Sequence, residues 1–518
     1  MMATTMARDT KKITKNTLIL YVQLLLSMCI GLYTSRVILQ VLGVNDFGIY
    51  NVVGGVVAMF GVFNAAMASS SSRFITFELG KGISGEVHKV FGTSLLIHIV
   101  LALLVGIVVS ILGIYFMQQY MNIPAERADS AKWTFYCAVF SSCIYIATVP
   151  YNAIIVAHEK MNIVAILSIL EMLLKLITVY FLQFIGEDKL ETYALLLVLS
   201  QLVVQSIYIV YCWIKFEEAR VGIHWNKTFL RPMTSFAGWS IFGEAAVILF
   251  TQGVNILLNI FFGTAVNAAR GIAVQVQGLV LRFIGGFQSA VNPQITKSFA
   301  NQDLVYMHRL IIISSKYSFF MLLVLSLPIM LEAERLLTWW LTVVPAHTVN
   351  FIRIILLTSL LESLANPLIF AAKATGRIKM YQFILGSLLL LVVPFSYLAL
   401  KMGLPAESVF LVHFIITLVG QVVRVLLISP MIKLSIKEYV HKVVFKVATI
   451  SVTGAFLPIL IYNLVPDSVS RLWSISFFGF LSIGLMTYLF GLDKIERNAL
   501  KRMISSKIGS SSRLIKNL

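Results

Sequence analysis

Two arginines lie inside one stretch that is long and apolar enough to cross a bilayer. Between Gly263 and Asn292 the chain reads GTAVNAARGIAVQVQGLVLRFIGGFQSAVN, carrying Asn267, Arg270, Gln275, Gln277, Arg282, Gln288, Ser289 and Asn292. At about 100° per residue these polar side chains share an arc of roughly 160°, with Ile272, Val276, Leu279, Val280 and Phe283 opposite. An arginine at the centre of a membrane helix costs about 2.5–3.5 kcal/mol, so two on one helix call for a wet cavity or an anionic partner. The chemistry they offer is anion recognition, because a guanidinium stays protonated and presents a planar fork suited to phosphate. The stretch is expected to form one wall of a hydrophilic lumen. The competing reading is snorkelling from the helix ends, which suits Arg270 better than Arg282.

Other helices repeat the pattern. Ser240, Glu244, Thr251, Gln252, Asn255 and Asn259 fall within an arc of roughly 120°, and His413, Thr417, Gln421 and Arg424 within about 80°. Ser168, Glu171, Lys175 and Thr178 share a further face. The candidate substrate-binding set is therefore Arg270, Arg282, Arg424, Gln277, Asn255, Asn259 and Gln252, with Glu244, His413, Glu171 and Lys175 as candidates for proton or ion coupling. Glu171 and Lys175 stand one helical turn apart and read at least as well as a structural ion pair. Any single Ser, Asn or Gln here could serve ordinary interhelical hydrogen bonding. Arg36 projects away from the Asn16, Gln23, Ser27 and Thr34 stripe of its own helix, which favours snorkelling or a lobe contact. Phosphate-binding glycine loops, metal-ligand clusters and paired external carboxylates do not rise above chance, so neither a catalytic residue, a metal nor a cofactor is expected.

These groups need a membrane scaffold. The 518 residues are 58% hydrophobic and 12% charged, with a mean hydropathy of +0.88, which implies an all-α, multi-pass integral membrane protein. The net charge of +18 is explained by cytoplasmic loops that set topology and meet anionic membrane lipids, so nucleic acid is not implied. Cys29, Cys137, Cys143 and Cys212 all fall in apolar segments and suggest no disulfide. The first apolar run is of full spanning length, so no cleaved signal peptide is expected.

Windows of about 20 apolar residues place spans near 17–41, 48–70, 91–116, 132–155, 161–185, 191–214, 235–262, 265–292, 310–334, 348–371, 380–400, 407–431, 443–463 and 472–491, about fourteen in all. Basic residues alternate with this count: Lys11, Arg73, Lys89, Lys160, Lys215, Arg231, Lys297, Lys373, Lys433 and the tail lie on one side, and only Arg127, Lys132, Lys189, Lys401 and Arg471 on the other. Both termini are therefore expected in the cytoplasm. The chain divides into an N-lobe (1–214), a cytoplasmic linker (215–233), a C-lobe (234–432) and a last helix pair with a basic tail (433–518). An ungapped overlay of VLGVNDFGIYNVVGGVVAMFGVF, ending at Phe63, on FFGTAVNAARGIAVQVQGLVLRF, ending at Phe283, aligns Gly43 with Gly263 and suits two lobes of like orientation.

The segments SRVILQVLGVNDFGIYNVVGGV, SSSSRFITFELGKG and TVPYNAIIVAHEKMNIVAILSILE resemble those of Wzx-type O-antigen and capsule flippases of the multidrug, oligosaccharidyl-lipid and polysaccharide (MOP) exporter superfamily. The resemblance covers most of residues 10–430. It implies two six-helix lobes working by alternating access in the bacterial inner membrane. It also implies a cationic cavity for an undecaprenyl-pyrophosphate-linked oligosaccharide and a place beside polysaccharide assembly proteins. The two extra helices are shared with lipid II flippases of the superfamily, whose first-helix arginine would correspond to Arg36. A lipid II flippase and a multidrug exporter remain alternatives, as does a membrane glycosyltransferase or polymerase from a different class.

Overall fold

A computed structural model describes residues 61–120, 125–184, 188–220, 222–223, 225–340 and 344–493, together with scattered positions of 19–50 and Glu496 and Arg497. Arg36, Gly43 and most of the first copy of the repeat lie outside the described residues. No strand occurs among the described residues, and ten helices are long and apolar enough to cross a membrane, or eleven with one bent pair counted as a span. The Thr264–Ala300 helix is long enough as well, but its polar stripe lowers its hydropathy below that of a lipid-facing span.

The expected spans from 91–116 onward each correspond to a described helix or helix pair, from Val87–Tyr120 to Val469–Met486. Of the second, expected at 48–70, the Gly61–Gly80 helix is described, and it continues ten residues too far for a hydropathy window to follow. The reason lies in SSSSRFITFELG. Ser70 and Ser71 are buried, with Ser70 Oγ donating to the Met233 carbonyl at 3.0 Å and Ser94 Oγ to Ser71 Oγ at 2.6 Å, so polar sequence marks helix contact there. The Lys227–Phe262 helix likewise starts inside the 215–233 stretch, where the Asn226 side chain accepts from the Thr228 N–H at 2.9 Å and caps it.

The tenth span is broken. Thr348–Ser363 and Ala365–Thr375 meet at Leu364 with a bend of 40°. Pro367 has no N–H for the Ser363 carbonyl, and that carbonyl instead accepts from Gln288 Nε2 at 3.5 Å. The Leu364 carbonyl is served by Tyr439 Oη at 3.4 Å and Ser315 Oγ at 3.5 Å, so the break is supported on three sides.

The largest buried apolar cluster joins helices between Val254 and Ile483, while three others lie mainly in the first half, one of them also taking in Met233, Phe236, Ala237 and Ile378. The two halves of the chain meet at the end of the bundle that carries the 215–233 connection. Glu159 pairs with Lys297 at 2.8 Å and accepts from Gln294 Nε2 at 3.4 Å, and Phe77 faces Phe299 at 6.3 Å between centroids. At the opposite end Arg127 holds Asp46 and Asp188 together, which ties first-half loops only to one another. Direct hydrogen bonds at that opposite end do not cross between the halves among the described residues.

Candidate functional site

The polar arc of the Thr264–Ala300 helix divides between two environments. Its Arg270, Gln277 and Gln288 edge points into the second half: Arg270 Nη2 donates to the Thr251 carbonyl at 3.1 Å and Nη1 to Asn255 Oδ1 at 3.4 Å. Gln277 Nε2 donates to Ser359 Oγ at 2.8 Å. Its other edge, with Gln275, Arg282 and Ser289, is exposed. The expectation of one helix walling one lumen is corrected accordingly. A stripe 160° wide spans more than one neighbour, and packing against the second half takes one side of it.

Arg270, Gln277 and His413 line a cavity of 170 Å³. A larger one of 480 Å³ holds Glu244 and Arg424 together with Gln288, Asn366 and Tyr381. Glu362, just before the helix break, lines both, and His413 Nε2 lies 3.8 Å from it. Arg424 donates from Nη1 to Gln421 Oε1 at 2.8 Å and from Nε to the Tyr381 hydroxyl at 3.2 Å, so it is held by neutral groups.

A third cavity, of 450 Å³, lies between the halves and brings Ser69, Ser72, Arg73 and Thr76 to face Ser289, Asn292 and Lys373, with Glu244 also in its lining. Arg73 donates to the carbonyls of Lys373 (3.1 Å) and Ala374 (2.8 Å), and Lys373 Nζ donates to Ser69 Oγ at 3.0 Å. Neither cation forms an ion pair with a carboxylate among the described residues. Arg282 stands two turns before Ser289 on the same exposed face and makes no hydrogen bond or ion pair with a described residue.

The sequence-derived set is thus brought together in part. Arg270, Gln277, Asn255 and His413 converge, and Arg424 and Glu244 share the neighbouring cavity. Gln252 and Asn259 are exposed and line none of the three cavities. Glu171 and Lys175 bond each other at 2.6 Å on a first-half helix, as the ion-pair reading has it. Arg73, Lys373 and Glu362 were not among the candidates. Arg73 and Lys373 count among the topology-setting cations by sequence, and Glu362 needs the break to bring it between cavities. No cluster of three or more His, Cys, Asp or Glu side chains able to hold a metal ion occurs among the described residues.

Polar cavities lie among apolar helices and between the two halves of the chain, and the fold is similar to that of solved MOP superfamily transporters. The fold is similar to an outward-facing multidrug resistance MATE family transporter of that superfamily, with a TM-score of 0.70 and 15% identity over 82% of this chain and 96% of the other. It is also similar to a MOP superfamily transporter from Pyrococcus furiosus described as having a binding pocket of reverse polarity, with a TM-score of 0.67 and 15% identity over 82% and 96%. Residues 13–299, more than half of the 518, match the Polysaccharide biosynthesis protein family, and the chain belongs to it. A relative in Bacillus subtilis (strain 168), the uncharacterized membrane protein EpsK, is 22% identical over 290 residues, 54% of this chain and 55% of its own length. The chain thus spans about half of the curated relative it matches. The family membership and the exporter-like fold accord with the resemblance drawn from the sequence.

Proposed function

We propose that the protein is a flippase that carries a polyprenyl-pyrophosphate-linked oligosaccharide, an O-antigen, capsule or exopolysaccharide repeat on undecaprenyl, across the bacterial inner membrane by alternating access. The observation that carries this reading is the pair Arg73 and Lys373, two cations from different halves of the chain that line one cavity without a carboxylate ion-pair partner among the described residues. Two like charges withdrawn from water repel and lose hydration, and a diphosphate entering between them relieves both costs. Arg282 extends the cationic track along the same cleft. The hydroxyls of Ser69, Ser72 and Thr76 and the amide of Asn292 suit a hydroxylated sugar.

In this reading residues 1–214 and 234–432 are the moving lobes, 215–233 joins them, and 433–518 adds a helix pair and a basic tail. The end that carries the connection is cytoplasmic, as are both termini, and the closure there describes an outward-open state. Arg270 and Arg424, with Gln277 and Asn255, shape the C-lobe interior, where Glu244, Glu362 and His413 are the groups suited to coupling. Polysaccharide assembly proteins and membrane lipids are the proposed partners.

The alternative within the superfamily is a multidrug exporter, favoured by Glu244 and Glu362 at the cavities. The deciding experiment reconstitutes the purified protein in liposomes with a fluorescent undecaprenyl-pyrophosphate oligosaccharide, lipid II and a lipophilic cationic dye as separate probes. Translocation of the oligosaccharide carrier alone is expected. Transport of the dye, or of lipid II, without movement of the oligosaccharide carrier overturns the assignment.

A further inference from the structure

At the end of the bundle opposite the 215–233 connection, a cavity of 440 Å³ lies between the short Ala333–Trp340 helix, the start of Thr348–Ser363 and the turn before Val469. It belongs to none of the cavities described above. Most of its charges satisfy one another. Glu332, 2% exposed, accepts from Arg471 Nε at 2.6 Å and Nη2 at 3.1 Å. Arg471 Nη2 also reaches Asp467 Oδ1 at 2.7 Å, and Arg335 bonds Asp467 and approaches Glu332 to 3.9 Å. The Arg471 guanidinium lies over the Tyr462 ring at 4.7 Å, which fixes this floor further.

Two charged groups of the lining are left over. Arg353 donates from Nε to the Met330 carbonyl at 3.0 Å, and its terminal nitrogens have no partner among the described residues. Glu334, in the first turn of the short helix, is exposed and has no ion pair among the described residues. The lining thus presents one unclaimed cation and one unclaimed anion above a neutralised base. Its depth is that of a membrane surface, because it sits where three spans end, beside Trp339 and Trp340, which are 55% and 48% exposed.

We propose that this cavity seats the headgroup of a zwitterionic aminophospholipid, its phosphate on the free guanidinium fork of Arg353 and its primary ammonium on Glu334. A planar fork matches two phosphate oxygens, and an exposed carboxylate accepts from the N–H groups of a primary ammonium. A choline headgroup has no N–H to donate. A purely anionic headgroup, or a diphosphate, meets repulsion from Glu334. The site lies on the face where the last two helices pack against Leu304–Leu331, so an occupant would join the final helix pair to the rest of the second half.

The test uses the full-length protein in nanodiscs of equal parts phosphatidylethanolamine, phosphatidylcholine and phosphatidylglycerol, with lipids retained after detergent extraction counted by native mass spectrometry. Retention of phosphatidylethanolamine about tenfold above either competitor is expected, the scale of one charge-assisted hydrogen bond. Arg353→Gln and Glu334→Gln should each abolish the preference, while Arg353→Lys keeps part of it. Glu334 is exposed and its replacement leaves the Glu332–Arg471 pair intact, so that variant reads the site even where Arg353→Gln fails to fold. Equal or greater retention of phosphatidylglycerol, a preference that survives Glu334→Gln, or displacement of the lipid by a soluble disaccharide would each overturn the proposal.

Discussion

Arg73, on a first-half helix, donates from Nε to the backbone carbonyl of Lys373, on a second-half helix, at 3.1 Å. The acceptor is one of the last carbonyls of Ala365–Thr375, at the negative end of its dipole, and it also accepts from the capping Gly376 N–H at 3.0 Å. The next residue, Ala374, takes a second bond at 2.8 Å. Gly376 ends the helix at φ 74°, and a Cβ there would stand 2.8 Å from Arg73 Nη2, so a side chain at this position would push the fork aside.

This contact is expected to hold that end of the transporter shut. Arg73→Gln, or Gly376→Ala, should raise the reaction of a cysteine at Thr76 with an impermeant thiol reagent, in a background free of other cysteines. The reagent is supplied from the side that carries the 215–233 connection. An unchanged labelling rate in both variants would show that the contact does not control access.

Arg282 tests the anion site separately from the latch. It is exposed and makes no bond to a described residue, so Arg282→Gln should leave the amount of folded protein unchanged. Transport per folded molecule should fall by about tenfold or more, the scale of a lost charge-assisted contact, with part kept by Arg282→Lys. A structural arginine pairing with Glu244 predicts the reverse, less folded protein with normal transport by each molecule. Quantifying protein and flux in the same membranes separates the two.

What could be read from the sequence follows from what one helix reveals by itself. Apolar runs located the spans from residue 87 onward, and angular spacing marked Arg270, Gln277 and His413 as sharing polar faces. Neighbours decide which edge of a stripe meets which cavity, so the division between Arg270 and Arg282 was hidden. Arg73 was hidden for another reason. Four serines in a row look like a membrane exit, and Arg73 beyond them like a loop cation, whereas Ser70 and Ser71 are buried in helix contacts. The bend after Ser363 did have a signal in Asn366-Pro367, since a proline removes the N–H needed by the carbonyl four residues back.

That bend yields a third prediction. Pro367→Ala restores an N–H toward the Ser363 carbonyl and removes a helix defect worth about 3 kcal/mol. The variant should therefore melt at a higher temperature in detergent while transporting more slowly, because Glu362 is no longer held between the two cavities. Gln288→Leu should act oppositely on stability, leaving the Ser363 carbonyl unserved at a cost of about 1–3 kcal/mol. Thermal unfolding of both variants beside the parent checks the pair. A lower melting temperature for Pro367→Ala would mean that the proline is required by packing.

The last helix pair is fastened by charge. Lys316, 1% exposed, donates to the Glu496 carboxylate at 3.2 and 3.1 Å and to the Gly491 carbonyl at 3.2 Å. Lys446 reaches the same carbonyl at 3.2 Å and Asp493 Oδ1 at 2.5 Å. Removing one partner of a buried pair strands the other, so Glu496→Gln should cost about 3–5 kcal/mol, and Lys316→Met added to it should recover most of that. Asp493 lies beyond the last span. Burial alone would raise its pKa, but the hydrogen bond from Lys446 and the neighbouring cations more than offset this and hold it below its ordinary 3.8. A depressed carboxylate contributes stability that is fully present above its unfolded pKa and is lost as pH falls through the folded value. Thermal stability should therefore be insensitive to this group at neutral pH and begin to decline below about pH 4. Asp493→Asn should start from a lower plateau and lose less over that acid range. An identical acid decline in Asp493→Asn and the parent protein would show that this carboxylate does not couple the last helices to the core.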